Sequence, residues 1–129
     1  MQYAHIMRME WGLDINKFSD FNMRMIAEWF TDDVSNGVKS WREWILDDNP
    51  EAINISSNAT WLEKDENIIL FSAITDVMQY DPVPDEYIVS MAKDNVLKLL
   101  DDWDRLYKLR FKELIITEEN GIYRIEEVQ

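Results

Sequence analysis

Residues 93–127 constrain the fold more than any other part of the chain, because they predict a long amphipathic helix followed by a β-hairpin. Between residues 93 and 109 the apolar side chains recur every three or four positions, which places them on one side of a helix. These residues are Val96, Leu99, Leu100, Trp103, Leu106 and Tyr107. Such a face has to be buried, so we expect the rest of the chain to pack against it.

The other side of this predicted helix carries acids that lie four residues before a base. In this orientation each pair stabilises a helix by about 0.2–0.5 kcal/mol. The predicted pairs are Asp94 with Lys98, Asp101 with Arg105, and Asp104 with Lys108.

The hairpin is predicted by Asn120-Gly121, which lies between two runs rich in β-branched residues. A type I′ turn needs positive φ at both central residues, and Asn-Gly satisfies that requirement best. Counting outward from the turn pairs Glu118 with Tyr123, Ile116 with Ile125, and Leu114 with Glu127. The resulting apolar face of the hairpin is expected to receive the helix.

The first third of the chain predicts one strand and one helix. Residues 3–11 are interpreted as a strand that ends at Gly12 and the stretch 14–17. Asp20 is a candidate N-cap for a helix that runs to about Ser35 and stops at Asn36-Gly37. The apolar residues between Met25 and Phe30 also fit a buried strand, and periodicity alone does not separate the two.

The middle of the chain predicts a short helix and several strands. Ser40 and Glu43 have capping-box spacing, which predicts a helix that ends near residues 47–50. Residues 51–58 are expected to be loop, and 59–64 and 67–75 to be strands, the second central and covered on both faces. A stiff acidic loop at 81–85 precedes a further strand at 86–91. We therefore predict one α+β domain, residues 1–129, with an antiparallel sheet of about five or six strands and three helices.

The charge balance is strongly acidic, with 26 acids against 13 bases and a net charge of −13. Residues 43–86 hold eleven of the acids and a single base, Lys64. A surface of this kind repels nucleic-acid phosphate and anionic lipid and attracts basic partners from a distance. We therefore expect a basic protein partner, and no direct binding to nucleic acid or membrane.

No catalytic, cofactor-binding or metal-binding residue is predicted, so the chain is interpreted as a protein without enzymatic activity. His5 is the only histidine and has no Ser or Asp at a useful spacing. The acids within residues 101–104 are expected to pair with bases one turn away rather than with a metal ion. Three scattered glycines do not make a phosphate-binding loop.

The expected location is the cytoplasm. The chain has no cysteine, which fits a reducing compartment, and residues 1–10 lack the apolar run of a signal peptide. No stretch reaches the roughly 18 apolar residues that a membrane span requires.

The partner is predicted to bind the acidic segment, with Trp61 as an apolar anchor among carboxylates. The candidate residues are Asp47, Asp48, Glu51, Trp61, Glu63, Asp65, Glu66, Asp81 and Asp85. A surface that is merely solvated accounts for the acids about as well, although their mutual repulsion destabilises the fold and is relieved by a cationic partner.

The C-terminal third resembles small bacterial immunity proteins, the antidotes encoded beside contact-dependent growth inhibition systems and related polymorphic toxins. The resemblance lies in the order of a strand, a helix with Leu99-Leu100 and Trp103, and the runs Leu114–Thr117 and Asn120–Tyr123. It implies a small acidic cytoplasmic antitoxin that binds a toxin domain, often a basic nuclease, and blocks its active site. The family has no shared catalytic residues to assign here.

The leading hypothesis is thus a toxin inhibitor whose acidic surface blocks a basic nuclease. Two alternatives remain: an acidic DNA mimic of the phage anti-restriction type, and a small carboxylate or metal-dependent hydrolase.

Overall fold

The chain folds into eight β-strands and four α-helices in a computed structural model that describes residues 1–129. The strands are β1 (Gln2–Met9), β2 (Gly12–Phe18), β3 (Asn54–Ser56), β4 (Thr60–Asp65), β5 (Ile68–Ala73), β6 (Val89–Ala92), β7 (Glu113–Glu119) and β8 (Ile122–Glu127). The α-helices are α1 (Phe21–Glu28), α2 (Val38–Leu46), α3 (Ile74–Gln79) and α4 (Lys93–Lys108). A π-helical segment, Trp29–Val34, continues α1, and short 3₁₀ turns lie at Pro50–Ala52 and Asp85–Tyr87.

The strands form two antiparallel sheets of four strands each, in the orders β2-β1-β7-β8 and β3-β4-β5-β6. The α+β class is confirmed, whereas the expectation of a single sheet with three helices is wrong. Helix α1 contacts β1 and β2 of the first sheet and β5 of the second, and α4 contacts β8 of the first and β5 and β6 of the second. Helices α1 and α4 therefore lie between the two sheets and separate them.

Strand β2 was missed because its sequence is polar. Residues 14–17, interpreted as a break, belong to the strand and pair with β1. Because β2 is an edge strand, Asn16 and Lys17 are exposed there. An edge strand requires few apolar residues, so its pattern gives little signal.

Two further differences lie in the second sheet. The short edge strand β3 occupies part of the expected loop, and α3 begins where the second predicted strand was expected to continue to residue 75. The β4–β5 ladder ends at the pair Thr60–Ala73, and the Ile74 N–H then bonds to the Ala59 carbonyl at 3.0 Å. The chain leaves the sheet at this point and turns into the helix.

A chain of aromatic side chains connects the second sheet to α4. Phe71 on β5 contacts Trp29 edge-on with ring centroids 5.0 Å apart, and Trp29 contacts Phe30 at 4.7 Å. Phe30 contacts Trp103 of α4 at 5.1 Å, and Trp103 contacts Phe111 at 5.8 Å. Each such pair contributes about 0.5–1.5 kcal/mol beyond the area that it buries. All five side chains belong to one continuous core of 27 buried residues.

Residues 21–34 are helical, which settles the choice left open between helix and strand. Asp20 is the N-cap as predicted, since its Oδ1 accepts the Met23 N–H at 2.9 Å. The second half is π-helical, and the Ser35 N–H bonds to the Phe30 carbonyl five residues earlier at 2.8 Å. The left-handed residue that ends it is Ser35, with φ of 45°, and not the predicted Asn36-Gly37.

Helix α2 begins before the predicted capping box. Gly37 is its N-cap, and Ser40 lies inside the first turn without a capping role. The Gly37 N–H bonds to the Val34 carbonyl at 2.6 Å, so the link to the π-helical segment is tight and the new helix starts at once. The helix ends at Leu46, directly before residues 47–50 as predicted.

Helix α4 and the hairpin match their predictions closely. The helix spans Lys93–Lys108, and all three predicted pairs of the β7–β8 hairpin form. Asn120 and Gly121 have φ of 56° and 81°, as a type I′ turn requires. None of the helices is both long and apolar enough to cross a membrane.

The ion pairs on α4 match in one case of three. Lys108 binds Asp104 at 2.8 Å, but Lys98 and Arg105 both bind Asp102, at 3.2 and 3.8 Å. Asp101 instead binds Arg42 of α2 at 2.8 Å, which ties the two helices together.

The free edge of β8 is covered by a side chain of α4. The Asn95 amide donates to the Tyr123 carbonyl at 2.8 Å, and its oxygen accepts the Tyr123 N–H at 2.9 Å. Asn95 thus makes the two bonds that a neighbouring strand would make at Tyr123.

We expect Trp103→Phe to lower the free energy of unfolding by about 2–4 kcal/mol. The indole N–H donates to the Ser35 carbonyl at 2.8 Å, and the side chain is fully buried. Phenylalanine removes this bond and leaves a cavity. Urea denaturation followed by circular dichroism measures the loss.

The control is Trp11→Phe at the tip of the β1–β2 hairpin, where the side chain is 72% exposed. Its expected change is below about 0.5 kcal/mol. Equal losses in the two variants would contradict the role given to Trp103.

Candidate functional site

The outer face of the second sheet forms the floor of a groove. Along β4, Thr60 and Leu62 are buried toward the helices, so Trp61 and Glu63 point to the opposite face. The register places Trp61 across from Ser72, and Glu63 across from Leu70 of β5. Two neighbouring strands therefore bring an aromatic ring, a carboxylate, a hydroxyl and an aliphatic side chain together.

The walls of the groove come from α3 and from the segment that follows it. The groove encloses about 600 Å³, which is within the range of about 300–1,000 Å³ for small-ligand sites. The predicted stiff loop at 81–85 forms one wall. The wall residues are Val77, Tyr80, Asp81, Pro82, Val83, Asp85 and Ile88.

The groove is acidic and contains no base. Its three carboxylates belong to Glu63, Asp81 and Asp85, and no Lys or Arg lines it. None of the six ion pairs of the chain involves any of the three. The Trp61 indole N–H donates to Glu63 Oε1 at 2.9 Å, which holds this carboxylate beside the ring. The uncompensated negative charge makes the groove attractive to a cation.

A second groove of about 560 Å³ lies on the other side of Tyr80 and is also acidic. Its carboxylates are Asp20, Asp76 and Glu86, again without a base. The pKa of the Tyr87 phenol is raised, first by the charge of Glu86 and then by Tyr80, partial burial and Asp76. The two grooves share Tyr80, so their six carboxylates form one acidic region around it.

Of the nine residues predicted to bind a partner, four line the first groove: Trp61, Glu63, Asp81 and Asp85. Glu63 and Asp81 are 18 positions apart in the sequence. They line the same groove because α3 and the loop after it pass back over the outer face of β4 and β5.

The other five predicted residues lie outside this groove. Asp65 ends β4, and Glu66 occupies the turn before β5 with φ of 54°. Asp47 and Asp48 follow α2, and Glu51 lies in the next 3₁₀ turn. All five are exposed and add to the negative field without lining the groove.

Lys64, the single base of the acidic segment, faces away from the groove. Its ammonium donates to the carbonyls of Trp44 and Asp47 at 2.8 and 2.9 Å and lies 4.8 Å from the centroid of the Trp44 ring. Desolvation lowers its pKa, while the charges of Asp47 and Asp48 oppose this shift. Lys64 therefore satisfies the C-terminal carbonyls of α2 and leaves the charge of the groove unbalanced.

Sequence reasoning missed two groups of the groove, Ser72 and Tyr80. A signal for Ser72 was present, because it is the one polar residue among Ile68, Leu70 and Ile74 at alternate positions of an apolar run. Tyr80 gave no such signal, since its position depends on α3, which was not predicted.

The acids of residues 101–104 all form ion pairs with bases. His5 binds Glu113 on the outer side of the first sheet at 2.9 Å, with no nucleophile in the pair. No group of three or more His, Asp and Glu side chains is arranged to hold a metal ion.

Asp33 of the π-helical segment positions the loop that leads into β4. Its Oδ1 accepts the Asn58 N–H at 3.1 Å, while its Oδ2 and the buried Thr60 Oγ1 both lack a hydrogen-bond partner. Burial is the largest influence on the Asp33 carboxyl and raises its pKa, although nearby donors of Ser57, Asn58, Thr60 and Ala59 favour the ionised form. Trp61 follows directly, so this contact helps to fix the floor of the groove.

Comparison with protein-family models, curated proteins and solved structures found no significant match. The geometry and charge of the groove therefore carry the functional conclusion.

We expect Asp33→Asn to be at least as stable as the wild type at neutral pH, and Asp33→Ala to lose about 1–2 kcal/mol. Because the folded-state pKa is raised, the native state binds more protons than the unfolded state between the two pKa values, and stability falls as pH rises through that window. Asparagine keeps the acceptor for Asn58, places a donor beside Thr60 and cannot ionise.

The measurement is urea denaturation of both variants and the wild type from about pH 3.5 to about pH 7.5, a range that begins below the ordinary pKa of an aspartic acid. The stability of Asp33→Asn relative to the wild type should increase as the pH rises. A constant difference over this range would contradict the assigned pKa shift.

Proposed function

We propose that this protein is an immunity protein, a non-enzymatic inhibitor that binds a cognate basic toxin domain of the nuclease type and blocks its active site. The observation that carries the proposal is the groove on the second sheet. It combines a half-buried tryptophan with three carboxylates that no base of the chain neutralises.

The chemistry of a nuclease site explains why such a groove inhibits. An enzyme that binds nucleic acid holds phosphates with Lys and Arg side chains. Carboxylates placed at the same cations form charge-assisted hydrogen bonds and exclude the substrate. Glu63, Asp81 and Asp85 supply these carboxylates, and Trp61 supplies the apolar contact that anchors an interface.

The acids around the groove act at longer range. Asp47, Asp48, Glu51, Asp65 and Glu66 are all exposed. Their field, together with that of the second groove, steers a basic partner toward this end of the molecule. Association rates of such steered pairs reach about 10⁸ M⁻¹s⁻¹ at low salt and fall steeply as salt increases.

The C-terminal architecture has the order of elements on which the resemblance rests. The order of strand, long helix and hairpin that resembles immunity proteins is present as β6, α4, β7 and β8. These elements belong to the scaffold, while the groove lies on the outer face of the second sheet, between β4, β5 and α3. A common scaffold with a separate binding face suits proteins whose partners differ.

The test first examines the genes beside that of this chain for a large secreted protein with a variable C-terminal domain, and then produces that domain with and without this chain. We expect the wild type to bind this domain and to restore growth of cells that produce it. The triple variant Glu63→Gln, Asp81→Asn, Asp85→Asn should bind about 100-fold more weakly, because the cations of the toxin then lose their charged partners.

The matched control is Glu51→Gln, Asp65→Asn, Glu66→Gln, which changes the net charge equally but leaves the groove intact. We expect its affinity to fall less than about tenfold, mainly through a slower association rate. Equal losses in the two triple variants would contradict the groove as the binding site. Failure of the wild type to bind or protect would contradict the function, and capture of DNA-binding proteins from a lysate without the toxin would favour the DNA-mimic alternative.

A further inference from the structure

Resting on the proposed function, we propose that the groove receives one arginine side chain of the partner. Its guanidinium would lie against Trp61 and bond to the Ser72 hydroxyl and to the carboxylates of Glu63, Asp81 and Asp85.

Ser72 is the feature that distinguishes the groove from a patch of acids. It is only 7% exposed, lies on the central part of the sheet and lines the groove. Its hydroxyl has no partner among the side-chain hydrogen bonds of the chain. Its oxygen is not one of the fully enclosed polar atoms without a partner, so it is reached from the groove. The hydroxyl is thus available to accept a hydrogen bond from an entering ligand.

The Trp61–Glu63 pair prepares a place for a planar cation. The indole N–H bonds to Glu63 Oε1, so the carboxylate is held at the edge of the ring and Oε2 has no partner in the chain. A guanidinium stacked on the ring would contact the aromatic face and the carboxylate at the same time. Both contacts would stabilise its binding.

The remaining walls suit the rest of an arginine side chain. Leu70, Val77 and Ile88 offer an apolar surface for its methylene groups. Asp81 and Asp85 add acceptors on the wall opposite the floor, and neither takes part in an ion pair. Acceptors on several sides suit the five N–H donors of a guanidinium. They suit a lysine ammonium less well, because it acts as a point charge.

The experiment titrates the full-length protein with N-acetyl-arginine methylamide and, separately, with N-acetyl-lysine methylamide, and follows the indole N–H signals by NMR. The Trp61 signal is assigned with Trp61→Phe. We expect the arginine compound to shift the Trp61 signal saturably and to bind at least about fivefold more tightly than the lysine compound. The signal of Trp11, on the exposed hairpin tip, should stay in place and serves as an internal control.

Two sets of variants locate the binding. Ser72→Ala should weaken arginine binding by about fivefold, the effect of one hydrogen bond. The groove triple variant should abolish saturation, and the control triple variant should leave it within about twofold. Glutamine at position 63 keeps an acceptor for the Trp61 indole, so the floor of the groove is retained.

Several outcomes would overturn the inference. Equal affinity for the lysine compound, absence of a Trp61 shift, or equal losses in the two triple variants would each do so. If arginine does not bind but the neighbouring toxin domain is still neutralised, the inference fails and the proposed function stands. If arginine binds as expected and no toxin domain is neutralised, the proposed function fails and the chemistry of the groove stands.

Discussion

The aromatic contacts between Phe71, Trp29, Phe30 and Trp103 hold the second sheet on the helical layer that also packs on the first sheet. Each sheet turns its apolar face toward this layer, so the opposite face of each sheet is left for other uses. On the second sheet that face is partly covered by α3 and the segment after it, and the space between them is the groove. The groove is therefore a consequence of how the core is built, and its floor is as rigid as β4 and β5.

The distribution of ion pairs separates the molecule into two regions. Three of the six pairs lie on α4 itself and a fourth joins α4 to α2, so three of the four acids of that helix, Asp101, Asp102 and Asp104, are neutralised locally. The acids around Tyr80 have no such partners, and the single base of their segment, Lys64, is turned toward the end of α2. Repulsion among these acids opposes folding, and a cationic partner would relieve it on binding.

The sequence was sufficient where a local pattern decides the structure. The periodicity of residues 96–107 predicted α4, Asn120-Gly121 predicted the hairpin and its register, and Asp20 predicted a cap. It was insufficient where tertiary contacts decide. Strand β2 is polar because it lies at an edge, the π-helical turn is fixed by the packing of Trp29 and Phe30, and α3 starts where the β4–β5 ladder ends. The same holds for the candidate site. Its acids could be predicted from the sequence, but Trp61 and Asp81 line one groove only because of where α3 lies.

The Asn95 amide has a consequence for how the molecule meets other chains. Because it already occupies the main-chain N–H and carbonyl of Tyr123, an incoming strand would have to displace a side chain anchored on α4 before it could extend the first sheet. Addition of a foreign strand at this rim, the usual first step in sheet-to-sheet aggregation, is therefore disfavoured. The β8 edge is thus protected from unintended pairing with strands of other proteins.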